Sequence, residues 1–137
     1  DLVDITVIND TYNASPASVK AALDALGATA QAQNRTVAVL GDMFELGDRE
    51  KSGHLEVGRY VAGKGVDLLF ALGDLAKHIA EGATEAGMPS RRVFWFGDKE
   101  KMFEAMKEKI TVGDIILVKG SRGMHMEDVV EYLTRCF

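Results

Sequence analysis

Two short polar clusters in this chain of 137 residues contain side chains that can bind a ligand. The first cluster, NDTYNASP, places Asp10, Tyr12 and Asn13 directly after an apolar run. A carboxylate can bind paired ribose hydroxyls, a phenol ring can stack on a base, and an amide can bond to either. Ser15, followed by Pro16, is sufficient to cap the helix that comes next. Asp10, Tyr12 and Asn13 therefore exceed what helix capping requires.

The second cluster, KGSRG, combines two cations and a hydroxyl in a glycine-flanked turn that enters a helix. Its polar members are Lys119, Ser121 and Arg122. Together with exposed backbone N–H groups, these side chains suit a carboxylate or a phosphate. For both clusters the alternative is a solvated turn with mobile side chains, and composition alone leaves both interpretations open.

A long polar loop, DMFELGDRE, begins at Asp42 and precedes any helical pattern. Loops of this length at the end of a strand are often functional. Asp74 and Asp98 differ from Asp42, because a helix follows each of them closely and N-capping is a sufficient role.

These clusters must be positioned by five apolar runs that alternate with amphipathic segments. The runs are rich in Val, Ile, Leu and Phe and nearly continuous, as in strands that are covered on both faces. They predict strands over residues 4–9, 36–41, 67–73, 92–97 and 114–120. We therefore predict one domain over residues 1–137 with an α/β, Rossmann-like, doubly wound fold. Its mainly parallel sheet should have five to six strands and helices on both faces. In such a sheet, ligands bind at the carboxyl ends of the strands, where both clusters lie.

Composition excludes several classes of function. The net charge of −5 and the lack of a basic stripe argue against nucleic acid as a partner. No apolar run approaches the ~20 residues of a membrane span. The single cysteine, Cys136, cannot form an internal disulfide, which favours the cytoplasm. Because the chain starts with Asp1 and enters a strand almost at once, we expect it to be a piece of a longer protein.

Two common motifs are not fulfilled. GRYVAGKG, residues 58–65, approaches a phosphate-binding loop, but Gly65 replaces the magnesium-binding hydroxyl and a strand follows instead of a helix. The three histidines are far apart and lack metal-ligand spacing, so no metal site is predicted in this chain.

Four segments together resemble the C-terminal domain of the Mur ligase family. They are INDTYNASPASVKAAL, RTVAVLGDMFELG, HLEVG and ILVKGSRGMHMEDVVEYL, and the resemblance covers residues 7–133. It is nearest to the members that join D-alanyl-D-alanine to UDP-N-acetylmuramoyl-tripeptide in peptidoglycan synthesis. The family usually has Asp-Asp where this chain has Asn9-Asp10, and often Asn at Ser15, so Asn9 and Ser15 are not expected to contact a ligand.

The resemblance implies an ATP-dependent ligase. ATP phosphorylates the tripeptide carboxylate, and the dipeptide amine then attacks the acyl phosphate. By position, Asp10, Tyr12 and Asn13 should lie near the adenosine of ATP, and Lys119, Ser121 and Arg122 near the dipeptide. The phosphate-binding loop and the Mg²⁺ ligands are expected mainly on a central domain, so this chain alone should contain no catalytic residue and be inactive.

Three alternatives remain from the sequence. A phosphoacceptor receiver domain also has a (β/α)5 pattern, and Asp10, Asp74 and Lys119 superficially match its acid, phosphoacceptor and lysine positions. The other two are a stand-alone nucleotide- or peptide-binding module and another Mur-type amino-acid ligase.

Overall fold

The computed structural model describes residues 5–137 and contains one sheet of five parallel strands. The strands are β1 (Thr6–Asp10), β2 (Thr36–Gly41), β3 (Leu68–Leu72), β4 (Val93–Phe96) and β5 (Ile115–Lys119). The helices are α1 (Pro16–Thr29), α2 (Glu50–Gly63), α3 (Lys77–Glu85), α4 (Lys99–Lys109) and α5 (Glu127–Cys136). The predicted α/β fold is confirmed, with each strand within two residues of its expected ends. Residue 4, where the first strand was predicted to begin, lies outside the described residues.

The strand order β1-β5-β2-β3-β4 explains why helices cover both faces of the sheet. The chain moves in one direction from β1 to β4, and right-handed crossovers then place α1, α2 and α3 on the same face. The return from β4 to β5 reverses this direction and places α4 on the other face, which α5 also covers. Two separate apolar clusters follow this division, one including Leu23, Val57 and Ile79 and the other including Met102 and Leu133.

The middle of the sheet is fully buried, as the apolar runs predicted. All residues of β3 and β5 and nearly all of β2 are buried, including Phe70 and Leu117 at 0% exposure. Burying one such side chain contributes roughly 1.5–3 kcal/mol, so these strands form a rigid base for the loops at their ends. No helix within residues 5–137 is both long and apolar enough to cross a membrane.

The predicted helix caps are confirmed at two positions and wrong at a third. Ser15 accepts a hydrogen bond from the N–H of Ser18 and caps α1, and Asp98 caps α4 in the same way. Asp74 does not cap α3, because a turn over residues 74–76 separates it from the first helical residue. The side chain of Asp42, from the end of β2, accepts the hydrogen bond from the N–H of Ala76 instead, at 2.7 Å.

The central position of β5 creates a crevice at the carboxyl edge of the sheet. Chains leaving β1 and β2 continue to helices on one face, whereas the chain leaving β5, which lies between them, continues to α5 on the other face. Such a divergence is the topological switch point at which open α/β sheets bind ligands. The loops after β1, β2 and β5 therefore surround one crevice.

Candidate functional site

The last residues of β1 and β5 connect the two predicted clusters. Asp10 and Lys119 are register partners, and the Lys119 ammonium lies 3.0 Å from the Asp10 carboxylate. The same ammonium donates a hydrogen bond to the carbonyl oxygen of Asn13 at 2.8 Å. Lys119 is only 3% exposed, so its charge is neutralised within the protein. The structure thus brings the NDTYNASP and KGSRG segments together at one edge.

A second contact between the clusters lies nearer to solvent. The guanidinium carbon of Arg122 lies 4.0 Å from the centroid of the Tyr12 ring. Tyr12 nevertheless remains 69% exposed, which leaves much of the ring available. Within residues 5–137, the Arg122 guanidinium makes no hydrogen bond or ion pair, so its N–H groups can bind an anion. A cation stacked on an aromatic ring keeps these edge donors directed outward.

Ser121 joins the β5 turn to the long loop after β2. Its hydroxyl oxygen accepts a hydrogen bond from the N–H of Phe44 at 2.8 Å, and its own N–H donates to the carbonyl of Asp42 at 3.0 Å. Ser121 is 6% exposed. These bonds fix the loop after β2 beside the turn after β5.

The three loops border a half-open cavity of about 300 Å³. Its walls are Tyr12, Asn13, Phe44, Glu45, Ser121, Arg122 and Gly123. Four of the six predicted site residues therefore line one space, while Asp10 and Lys119 form the ion pair beside it. Phe44, Glu45 and Gly123 were not predicted individually, although the length of the loop containing Phe44 and Glu45 had suggested a function there.

The path of the loop after β2 is fixed by a buried histidine. The N–H of Met43 donates to Nε2 of His54 at 3.0 Å, and Nδ1 of His54 lies 2.5 Å from the carbonyl oxygen of Glu50. Because Met43 can only donate, Nε2 accepts, and the proton of the neutral ring lies on Nδ1, where it bonds to Glu50. His54 thus has a structural role, and both of its ring nitrogens are satisfied.

Asp42 is the buried carboxylate at the base of this loop. Burial raises the pKa of its carboxyl above the usual 3.8, and the hydrogen bond from Ala76 opposes that effect. Gly73 has a φ of +119°, and a Cβ there would lie 2.3 Å from the Asp42 carboxylate. Only glycine allows this approach, which fixes Asp42 between the ends of β2 and β3.

Two other features contribute less to a ligand site. A cavity of about 350 Å³ at the opposite edge contains Arg35 and Asp114, but these charges pair with each other at 2.8 Å. Among residues 5–137, no three His, Cys, Asp or Glu side chains gather in a group that could hold a metal ion. The described residues therefore do not fit a self-contained Mg²⁺ site.

Comparison with known sequences shows similarity over nearly the whole chain. A family model described as Mur ligase, glutamate ligase domain, matches residues 2–122. The UDP-N-acetylmuramoyl-tripeptide--D-alanyl-D-alanine ligase of Bacillus subtilis (strain 168) is 41% identical over 94% of this chain. The ligase of the same name from Escherichia coli (strain K12) is 33% identical over 93%. The matched region is only 28% and 26% of the length of these curated relatives.

Comparison with solved structures shows that the fold is also similar to that of Mur ligases. A MurF ligase from Thermotoga maritima in complex with ADP matches 99% of this chain and 29% of its own, with a TM-score of 0.79 and 27% identity. A MurF structure from Acinetobacter baumannii matches 98% of this chain and 29% of its own, with a TM-score of 0.80 and 29% identity. Both similarities extend over essentially every element described above.

Proposed function

The chain belongs to the Mur ligase family, and on this premise we propose that it is the C-terminal domain of an ATP-dependent ligase that adds D-alanyl-D-alanine to UDP-N-acetylmuramoyl-tripeptide. The observation that carries the proposal is the cavity at the switch point, lined from three loops and bordered by both polar clusters. The cytoplasm, where ATP is available, is the proposed location. The remaining length of the relatives leaves room for the domains that would bind the tripeptide and the ATP phosphates.

Each polar residue is assigned a part in binding. We assign Tyr12, Asp10 and Asn13 to the adenosine of ATP, with the exposed ring of Tyr12 stacking on the base. Arg122, whose N–H groups have no partner within the described part of the chain, is assigned to the dipeptide carboxylate. Lys119 and Ser121 are nearly buried, so their proposed role is to position the two loops.

The contribution of these residues to the reaction is positioning and charge complementarity. Holding two reactants in the correct orientation supplies much of the acceleration in such transfers, and closure of a domain over bound substrates is a common way to do so. Any Mg²⁺ that accompanies ATP is assigned to the other domains, since residues 5–137 contain no group of ligands for it.

The sheet order disfavours a receiver domain. Receiver-type sheets have the strand order 2-1-3-4-5, whereas here β5 separates β1 from β2. Asp74 follows β3, which lies three strands from the Asp10 strand, β1, whereas β1 and β3 are neighbours in a receiver-type sheet. The three residues that superficially matched a receiver therefore do not form one cluster.

The test is a substrate panel with the full-length protein that contains this chain. Phosphate release from ATP should require both UDP-N-acetylmuramoyl-tripeptide and D-alanyl-D-alanine, and mass spectrometry should detect the pentapeptide product. D-Glutamate, L-alanine and meso-diaminopimelate, each with its matching UDP-linked acceptor, serve as controls. Use of a single amino acid instead of the dipeptide would identify another Mur-type ligase and contradict the proposal.

Two exposed residues test the assignment of the site without disturbing the core. Arg122→Ala should raise the KM for D-alanyl-D-alanine about tenfold or more and change the KM for ATP less, because a charged hydrogen bond contributes about 1.5–3 kcal/mol. Tyr12→Ala should mainly raise the KM for ATP. Equal effects of Arg122→Ala on both constants would argue against the division of the site.

A further inference from the structure

Glu45 and Arg122 place opposite charges on the same cavity without pairing with each other. Both line the space of about 300 Å³ described above. In the part of the chain that the structure describes, Glu45 makes no hydrogen bond, and no Lys, Arg or His nitrogen lies within 4.0 Å of its carboxylate. The two charges do not neutralise each other within 4.0 Å, so both are available to a ligand.

The backbone at Glu45 is unusual. Its φ of 65° lies in the left-handed region, which disfavours residues with a Cβ by roughly 1–2 kcal/mol. The loop is fixed on the N-terminal side of Glu45 by the hydrogen bonds of Met43 to His54 and of Phe44 to Ser121. Gly47, two residues further on, also has a positive φ of 58°, but glycine has no Cβ and adopts this conformation without strain. Strain retained at a non-glycine residue that faces a cavity is typical of a functional position.

The size of the cavity suits a short peptide. At about 300 Å³ it is at the lower end of small-ligand pockets. Two extended residues span at most about 7 Å between their termini. Phe44, which is 40% exposed, supplies an apolar wall for small side chains. A Cβ on Gly123 would come within 3.2 Å of the Phe44 ring, so the space beside this wall is narrow.

We propose that Glu45 binds the ammonium group of the incoming dipeptide while Arg122 binds its carboxylate, so that the cavity is a subsite for a short zwitterionic peptide with small side chains. The inference rests on the proposed function and adds to it a binding residue, Glu45, and an apolar wall, Phe44. Two charges at opposite ends of the ligand fix its direction in the cavity. The nitrogen attacks the acyl phosphate only after the ammonium has given up a proton, and phosphate is the leaving group.

The test compares Glu45→Gln with wild type in the full-length protein. Glu45→Gln keeps the shape of the side chain and removes its charge, and Asp48→Asn is the matched control, because Asp48 is exposed in the same loop outside the cavity. The KM for D-alanyl-D-alanine should rise about tenfold in Glu45→Gln, with the KM for ATP and the melting temperature unchanged. Asp48→Asn should match wild type.

Two analogues distinguish the ends of the dipeptide. N-acetyl-D-alanyl-D-alanine lacks the ammonium group, so as an inhibitor it should bind Glu45→Gln and wild type equally. D-alanyl-D-alaninamide lacks the carboxylate, so wild type should have a higher KM for it than for the dipeptide. This difference in KM should persist in Glu45→Gln and disappear in Arg122→Ala.

Each outcome is decisive. An active wild type with an unchanged dipeptide KM in Glu45→Gln would overturn the assignment of Glu45 and leave the proposed function intact. The same conclusion follows if Glu45→Gln weakens the N-acetyl analogue as much as the dipeptide. A wild type that releases no phosphate in response to the dipeptide would overturn the proposed function, and the subsite with it.

Discussion

Lys119 is a cation that the fold uses internally. Its ammonium is almost inaccessible to water and depends on the Asp10 carboxylate and the Asn13 carbonyl for compensation. Asp10 is different, because its side chain is 44% exposed and water can replace Lys119 around it. The two partners of this pair therefore depend on each other unequally.

This inequality predicts unequal effects on stability. Asp10→Asn leaves a buried ammonium without a counter-charge and should lower the free energy of unfolding by about 2 kcal/mol, whereas Lys119→Met should cost about 1 kcal/mol or less. Urea unfolding of the 137-residue chain measures the loss of stability in each variant. The double variant should be as stable as Lys119→Met. Equal losses in the two single variants would show that water reaches Lys119.

Glu45→Gly should stabilise the chain because glycine adopts a positive φ without strain. The gain should be about 0.5–1 kcal/mol, since the greater entropy of an unfolded glycine offsets part of the relief. A rise of a few degrees in melting temperature is expected, whereas Glu45→Gln should have no such effect. A lower melting temperature for Glu45→Gly would mean that the side chain has structural contacts that outweigh the strain.

The types of the site residues could be predicted from sequence more readily than their surroundings. Asp10, Tyr12 and Arg122 stood out because capping and core packing did not account for them. The burial of Lys119 could not be predicted, because it depends on β5 lying beside β1. Asp74 was wrongly predicted to be a cap for a related reason: the competing acceptor, Asp42, is 34 residues away from the N–H it binds.

Between elements, the packing of α2 against α3 depends on two glycines. A Cβ on Gly58 would lie 2.0 Å from the carbonyl oxygen of Ile79, and a Cβ on Gly82 would lie 2.2 Å from that of Leu55. Backbone atoms cannot move away as a flexible side chain can, so any larger residue would separate the helices. This contact closes the face of the sheet that α1 also covers.

We expect Gly58→Ala to lower the free energy of unfolding by roughly 2–3 kcal/mol, as overpacking in a close contact does. Gly27→Ala in α1 is the matched control, because nothing lies within 4 Å of a Cβ there. That control should stabilise by roughly 0.5–1 kcal/mol through helix propensity. Thermal unfolding of both variants provides the measurement, and a neutral Gly58→Ala would show that the helices separate without cost.

The junction between β2 and α3 should make stability depend on pH. Because burial raises the pKa of Asp42 in the folded chain, the folded state holds this proton more tightly than the unfolded state. The protonated Asp42 carboxyl therefore contributes to the free energy of unfolding. This contribution is complete at pH values below the unfolded pKa of 3.8, and it is lost as the pH rises through the raised folded pKa. Asp42→Asn keeps an oxygen that can accept from Ala76 and cannot ionise.

The free energy of unfolding of Asp42→Asn relative to wild type should therefore increase as the pH rises from 3.5 and become constant above the folded pKa. Denaturant titrations at several pH values measure this difference, with Asp48→Asn as the exposed control. A difference that decreases with rising pH would mean that the hydrogen bond from Ala76 outweighs burial.

For the molecule as a whole, alternation of strands and helices was predictable but strand order was not. Five buried runs separated by amphipathic segments specify a parallel sheet with crossovers. They do not specify that β5 inserts between β1 and β2, which is a consequence of long-range packing. That insertion brings the loops after β1, β2 and β5 to one cavity, so the site depends on the least predictable feature of the fold.

The cavity is one wall of the proposed reaction site, and we therefore expect the 137-residue chain alone to be folded but inactive. Its two apolar clusters should give cooperative thermal unfolding, since each covers one face of the sheet. With ATP, Mg²⁺, UDP-N-acetylmuramoyl-tripeptide and D-alanyl-D-alanine it should form no amide detectable by mass spectrometry. The described residues are proposed to orient a nucleotide and a dipeptide, but they provide no group of ligands for a metal ion. The full-length protein is the positive control, and amide formation by the folded chain alone would show that the reacting groups lie within it.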